Sequence, residues 1–358
     1  MCKYVGSRTL FAGTIARMRW ARLAALLVAT QLAAACGGST GTVGVSRAPV
    51  SGPLGDTWTW NGTVWALHAD GTGPSPRFDS AMAFDAGAGA VILFGGQLLL
   101  GQLDDTWRWD GKAWTKLRPA HHPDTLSGHL MAYDAVRRQI VLFGGGHGVG
   151  ERRSGLVDTW VWDGSDWIRR STEGPRLGGQ RMAFDPGSGK VVLFGGSLLN
   201  TNYSDATWTW DGARWEQLTP AARPSARYGV GLAFDGSGKR LLLFGGAGPR
   251  AAAIGESGLP LSDTWSFGRG SWDPVSPGAS PPARANAVMV PAPKGDGVFL
   301  FSGTACPYQN DSWQWGGSGW HVARPVGPPS ARAYAAAATD ERRREVVVFG
   351  GLADNPCV

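Results

Sequence analysis

Residues 105–114 read DTWRWDGKAW, and residues 158–167 read DTWVWDGSDW. Three tryptophans within eight residues, repeated at one spacing, either stack on a ligand or fill space. The word occurs six times. Its aromatic rings fall at Trp58, Trp60 and Trp65, at Trp107, Trp109 and Trp114, and at Trp160, Trp162 and Trp167. They return at Trp208, Trp210 and Trp215, at Trp265, Phe267 and Trp272, and at Trp313, Trp315 and Trp320. Aromatic-x-aromatic has the two-residue period of a strand, so both rings lie on one sheet face. Asp-Gly between the rings accepts the positive φ of a tight hairpin turn. Rings on either side of that turn can then meet across the hairpin.

Two further words keep step with the first. One is an aliphatic run ending in Phe-Gly-Gly: VILFGG to Gly96, IVLFGG to Gly145, VVLFGG to Gly196, LLLFGG to Gly246 and VVVFGG to Gly351. The fifth copy, VFLFSG, has Ser302 for the first glycine and ends at Gly303. The other word precedes it, as SAMAFD, HLMAYD, QRMAFD, GLAFD, NAVMV and AYAAAATD. Four short strands in each period of about fifty residues predict an all-β fold, a six-bladed β-propeller with four antiparallel strands per blade. The chain enters on the third and fourth strands of a blade and leaves on the first and second of one. Its two ends therefore complete one blade and clasp the ring, removing long exposed edges.

These words resemble the Kelch repeat: di-glycine after a hydrophobic strand, then aspartate, an aromatic pair and a tryptophan. The superfamily is that of the galactose oxidase central domain. The likeness spans residues 51–358, although Trp-x-Trp stands where the family usually has tyrosines. Six copies at one spacing suit blade-to-blade packing better than six equivalent ligand sites. The aspartates that open the copies, Asp56, Asp105, Asp158, Asp205, Asp263 and Asp311, are expected to hold turns and hydrogen bonds.

The 54 glycines fit a chain rich in tight turns. The formal net charge of +6 suggests a nucleic-acid partner only until its distribution is read. Lys3, Arg8, Arg17, Arg19 and Arg22 precede Cys36 with no acid among them, which leaves 29 basic against 28 acidic residues elsewhere. Without a basic run, nucleic-acid binding loses its main support. The basic start, the apolar run and the small residues before Cys36 predict an export signal over 1–35, with Met18 as the true start. The segment resembles a bacterial lipoprotein signal with Cys36 as the lipidated residue. Ala33 stands where that family usually has leucine, and Ala33-Ala34-Ala35 also suits ordinary signal cleavage. Residues 36–50 read as a flexible tether, and residues 51–358 as the propeller. The protein is then exported, membrane-anchored by lipid or else secreted.

Function is expected where the copies differ. The loops after Gly-Gly are long and unalike: QLLLGQL, GHGVGERRSGLV, SLLNTNYS, AGPRAAAIGESGLPLS and TACPYQN. They share one face with the loops leading into the innermost strands. Those lead-in loops carry Arg77, Arg227, Arg284 and Arg332, with Arg176 near the same place and Leu126 in the second copy. The guanidiniums either ring the channel mouth and bind anions or brace their own loops. Cys306 and Cys357 lie in equivalent loops of adjacent blades, which predicts a disulfide in an oxidising compartment.

No cofactor or metal is expected. A copper centre like that of galactose oxidase needs tyrosines, histidines and a cysteine in a pattern that Tyr133, Tyr203, Tyr228, Tyr308, Tyr334, His121, His122, His129 and His147 do not show. A sialic acid mutarotase of Kelch type would need an acid–base pair near the mouth, for which Glu151 and Glu256 are the loop candidates. The expected work is recognition of a protein or glycan partner at the cell envelope. A sugar-active enzyme is the alternative.

Overall fold

The structure is a computed structural model. It describes residues 52–68, 71–147, 154–155, 157–198, 202–249, 258–305, 307–317 and 319–353. The leader, the tether, Cys36, Glu151, Glu256, Cys306 and Cys357 lie outside these.

All regular structure among the described residues is strand. Six sheets of four antiparallel strands form the blades of a propeller. Blade 1 holds Ala81–Asp85, Ala90–Gln97, Gln102–Trp109 and Trp114–Leu117, running outward from the axis. Blades 2 to 5 start on Leu130–Asp134, Arg181–Asp185, Gly231–Asp235 and Val288–Pro291. Blade 6 joins the ends of the chain. Ala336–Asp340 and Glu345–Phe349 supply its inner pair, and Thr57–Trp60 and Trp65–His68 its outer pair. Thr57 to Trp60 pair in register with Phe349 to Val346, so the ring closes between main chains.

The opening tryptophans are packing elements. In every blade the ring before the tight turn meets the one after it, with centroids 5.0 to 6.2 Å apart. The second ring then reaches the preceding blade. Trp65, Trp114, Trp167, Trp215, Trp272 and Trp320 lie against Phe301, Phe349, Phe94, Phe143, Phe194 and Phe244, each the phenylalanine of a Phe-Gly-Gly or Phe-Ser-Gly word. Five of these indoles also donate Nε1–H to the threonine of the preceding blade's Asp-Thr-Trp or Ala-Thr-Trp. Those acceptors are Thr57, Thr106, Thr159, Thr207 and Thr264, at 2.8 to 3.0 Å.

The sixth contact is incomplete. Ser312 stands in place of threonine, and neither Ser312 Oγ nor Trp65 Nε1 has a hydrogen-bond partner. Threonine's β-branch restricts χ1 and suits a strand. Ser312→Thr is therefore expected to restore the bond and raise stability by about 1 kcal/mol. Thermal unfolding of the variant checks this, and an unchanged or lower midpoint contradicts it.

The di-glycines are latches between blades. The second glycine's N–H donates to the carbonyl of the lead-in loop of the next blade. The pairs are Gly96 to Leu126, Gly196 to Arg227, Gly246 to Arg284, Gly303 to Arg332 and Gly351 to Arg77. At Gly245 the φ is +61°, and a Cβ would lie 2.7 Å from the Arg284 carbonyl oxygen. Both facts demand glycine there. Ser302 holds the corresponding place in blade 5 at φ 62°. Its hydroxyl offsets the strain by bonding the Arg332 carbonyl and that of Gln309.

Candidate functional site

The two ends of the channel differ. At one end each inner strand in blades 1 to 4 and 6 ends in a buried aspartate, namely Asp85, Asp134, Asp185, Asp235 or Asp340. Each accepts backbone N–H bonds from its own turn. These bonds commit each aspartate to its own turn, although Asp235 Oδ2 keeps no hydrogen-bond partner. The other end bears the long loops, and three of them rise as short hairpins. Gly146–His147 pairs with Ser154–Gly155, Ser197–Leu198 with Asn202–Tyr203, and Ala247–Gly248 with Leu259–Pro260. In blade 1 the second and third strands themselves lengthen, carrying Leu99 and Leu100 to an exposed tip.

The expected arginines are interior braces. Arg77, Arg227, Arg284 and Arg332 are at most 1% exposed. Each guanidinium grips both oxygens of its own blade's aspartate: Asp105, Asp263, Asp311 and Asp56 respectively. Each also donates to the carbonyl of the first glycine or serine of the latch, namely Gly95, Gly245, Ser302 or Gly350. The same aspartates accept the Nε1–H of Trp107, Trp265, Trp313 and Trp58. Burial pushes these carboxyls up, but the arginine's hydrogen bonds and charge and the indole bond outweigh it and hold all four below the usual range.

Arg176 does not join them. The bridge that follows each of these arginines falls in blade 3 on Gly178 and Ser197, so Leu177 precedes it as Leu126 precedes the Ser127–Gly146 bridge of blade 2. One residue fewer separates this bridge from the buried Pro175 than separates the others from their prolines, and Arg176 is exposed.

The mouth of the channel is built by a second position, two residues beyond those arginines. Asp79, Gly128, Gly179, Gly229, Asn286 and Tyr334 occupy it, all at φ between +52° and +69°. Four hydrogen bonds link them into a belt: Asp79 N to Tyr334 O, Gly128 N to Asp79 O, Gly229 N to Gly179 O and Asn286 N to Gly229 O. Three belt residues carry side chains in a conformation that costs a non-glycine residue about 1 kcal/mol or more. Asp79, Asn286 and Tyr334 line a cavity of about 150 Å³ together with His129 and Arg181. Four methionines, Met82, Met131, Met182 and Met289, line it at one register on their inner strands.

The polar groups here lack the bidentate ion pairs of the braces. His129 is 3% exposed, with Nε2–H donated to the Phe94 carbonyl and Nδ1 unpartnered. Burial drives its pKa down to about 4, so the ring is neutral at pH 7. Burial, with the nearby Asp79 charge, raises the Tyr334 hydroxyl far above the usual tyrosine value, and Tyr308 and Tyr228 add to this. The Tyr203 and Tyr228 rings stack at 5.8 Å. Four tyrosines thus gather on the loop face, while Tyr133 sits at the opposite end beside Asp85, Asp134 and Glu341. His121 pairs with Asp166 at 2.7 Å on an exposed surface, away from the mouth. Among the described residues, no three of His, Cys, Asp and Glu gather to hold a metal.

No family model and no curated protein matches the chain.

Proposed function

We propose that this propeller is a recognition module of Kelch type, which binds a protein or glycan partner through the face bearing the long loops. The observation that carries the reading is the asymmetry between the ends. At one end the inner-strand aspartates are committed to their own turns. The other presents Tyr203, Tyr228, Tyr308 and Tyr334 around a polar mouth, with Leu99 and Leu100 at a projecting tip 68% and 88% exposed. Tyrosine supplies large, stiff contact area at low entropic cost and is enriched where proteins recognise others. Capture of one partner from envelope extract by the full chain tests this. Tyr203→Ala with Tyr228→Ala is expected to abolish capture and Tyr133→Ala to leave it intact. Equal capture by all three proteins would remove the loop face from the reading.

A sugar-active enzyme is the second reading, because Asp79, His129 and Tyr334 share one small cavity. The basic leader and Cys36 support export and lipid anchoring. Cys36→Ala is then expected to move the protein from the membrane to the soluble fraction. The spacing of Cys306 and Cys357 supports a disulfide that holds the last strand to its neighbour blade.

A further inference from the structure

We propose that the channel mouth binds a hydroxylated carboxylate, of the class of uronic or aldonic acids, with the carboxylate held by Arg181 and the hydroxyls by Asp79 and Asn286. This rests on the reading of the loop face as the recognition face and names the ligand class at its centre.

Arg181 is the outlier of its position. The other inner strands carry Ala81, Leu130, Gly231, Val288 and Ala336 in the same place. A guanidinium has five N–H donors. Arg181 uses Nη1 to reach the Gln180 carbonyl at 2.9 Å. Among the described residues it makes no other hydrogen bond and no ion pair within 4 Å. The contrast is internal to this chain, since each bracing arginine has a bidentate carboxylate and carbonyls besides. A partly buried cation with spare donors has lost water without gaining a partner. A carboxylate lowers that cost through two parallel charge-assisted bonds.

The remaining lining selects among anions. The Asp79 charge acts on Arg181 across the cavity. It repels a bare anion but accepts hydrogen bonds from hydroxyl groups. Asn286 adds an amide, and Tyr334 a hydroxyl and a ring. The cavity of about 150 Å³ holds about five waters at roughly 30 Å³ each. That is room for one small residue, free or at the end of a chain. The four methionines add apolar surface to its lining.

The test measures the thermal midpoint of the full chain with glucuronate, galacturonate, gluconate, glucose and acetate. A ligand of the folded state raises the midpoint by mass action. At least one of the three hydroxylated acids is expected to raise it at millimolar concentration, while glucose does not. Arg181→Gln is expected to bind that acid at least tenfold more weakly. Its midpoint without ligand should equal or exceed that of the wild type, because among the described residues Arg181 bonds only the carbonyl of its neighbour Gln180. Asp79→Asn is expected to fold and to bind acetate more tightly than the wild type. An acid shift unchanged in Arg181→Gln, a glucose shift equal to the acid's, or no shift with any of the three acids overturns the proposal. Partner capture that still depends on Tyr203 and Tyr228 would then leave the recognition reading standing. Loss of both results removes both.

Discussion

Arg332→Ala is expected to lower stability by about 3–5 kcal/mol, the cost of leaving one member of a buried ion pair alone. Arg332 is fully enclosed and ties the C-terminal lead-in loop to Asp56, 276 residues away in sequence. The same residue donates to the Gly350 carbonyl, and its own backbone carbonyl receives the Gly303 latch. Removing it leaves the part-buried Asp56 carboxylate with the Trp58 indole but no cation. Arg77, Arg227 and Arg284 make the same bonds, but each ties together a continuous stretch of chain. The ring therefore opens first at blade 6. In Arg332→Ala, hydrogen exchange should speed up in Thr57–Trp60 and Trp65–His68 before any other blade. Arg227→Ala should loosen blade 4 and spare blade 6. Equal protection across blades in both variants would mean that closure is not the weak point.

The acid response follows from the same pairs. The four braced carboxyls have folded values below their unfolded ones, so the unfolded state takes up protons first. Their stabilisation is complete above the unfolded value, near pH 4, and is lost as pH falls through the folded values. Arg332→Ala removes the largest causes of the depression at Asp56, the arginine's hydrogen bonds and charge. Its stability should fall less steeply below pH 4 than that of the wild type.

The fold was legible because each blade repeats the constraints that make it. Trp-x-Trp, Asp-Gly and Phe-Gly-Gly are local words whose spacing sets strand, turn and latch. The sequence does not say that the tryptophan of one blade answers the phenylalanine and threonine of the blade before it. That pairing is nonlocal, and only its failure at Ser312 leaves a written trace. The arginines left two readings open for a related reason. A guanidinium near a mouth and one behind it have the same letter and loop, and the acids that capture these four open another word. Arg176 shows how one missing residue shifts the register. The candidate site was legible in principle at two columns. Asp79, Gly128, Gly179, Gly229, Asn286 and Tyr334 form a column of residues tolerant of positive φ, with tyrosine the odd member. Arg181 breaks a column of small and apolar residues. Both signals need the copies aligned on the bridge rather than on the prolines.

Trp114→Ala is expected to cost about 3–5 kcal/mol, as large-to-small changes of buried aromatics do. Trp114 meets Trp109 within its blade and Phe349 in blade 6, and donates to Thr57 in the N-terminal strand. One side chain thus binds the first complete blade to both ends of the chain. Phenylalanine separates the terms. Trp114→Phe keeps most of the ring contact but leaves the buried Thr57 hydroxyl without its donor, at about 1–3 kcal/mol. Trp109→Phe should cost much less. Trp109 Nε1 is buried without a partner, and blade 4 already carries Phe267 in that place. Denaturant unfolding of the three variants would order them as Trp114→Ala, Trp114→Phe, Trp109→Phe, from least to most stable. If Trp109→Phe were as damaging as Trp114→Phe, the indole–threonine bond would not be what distinguishes the two positions. Ring volume alone would then hold blade to blade.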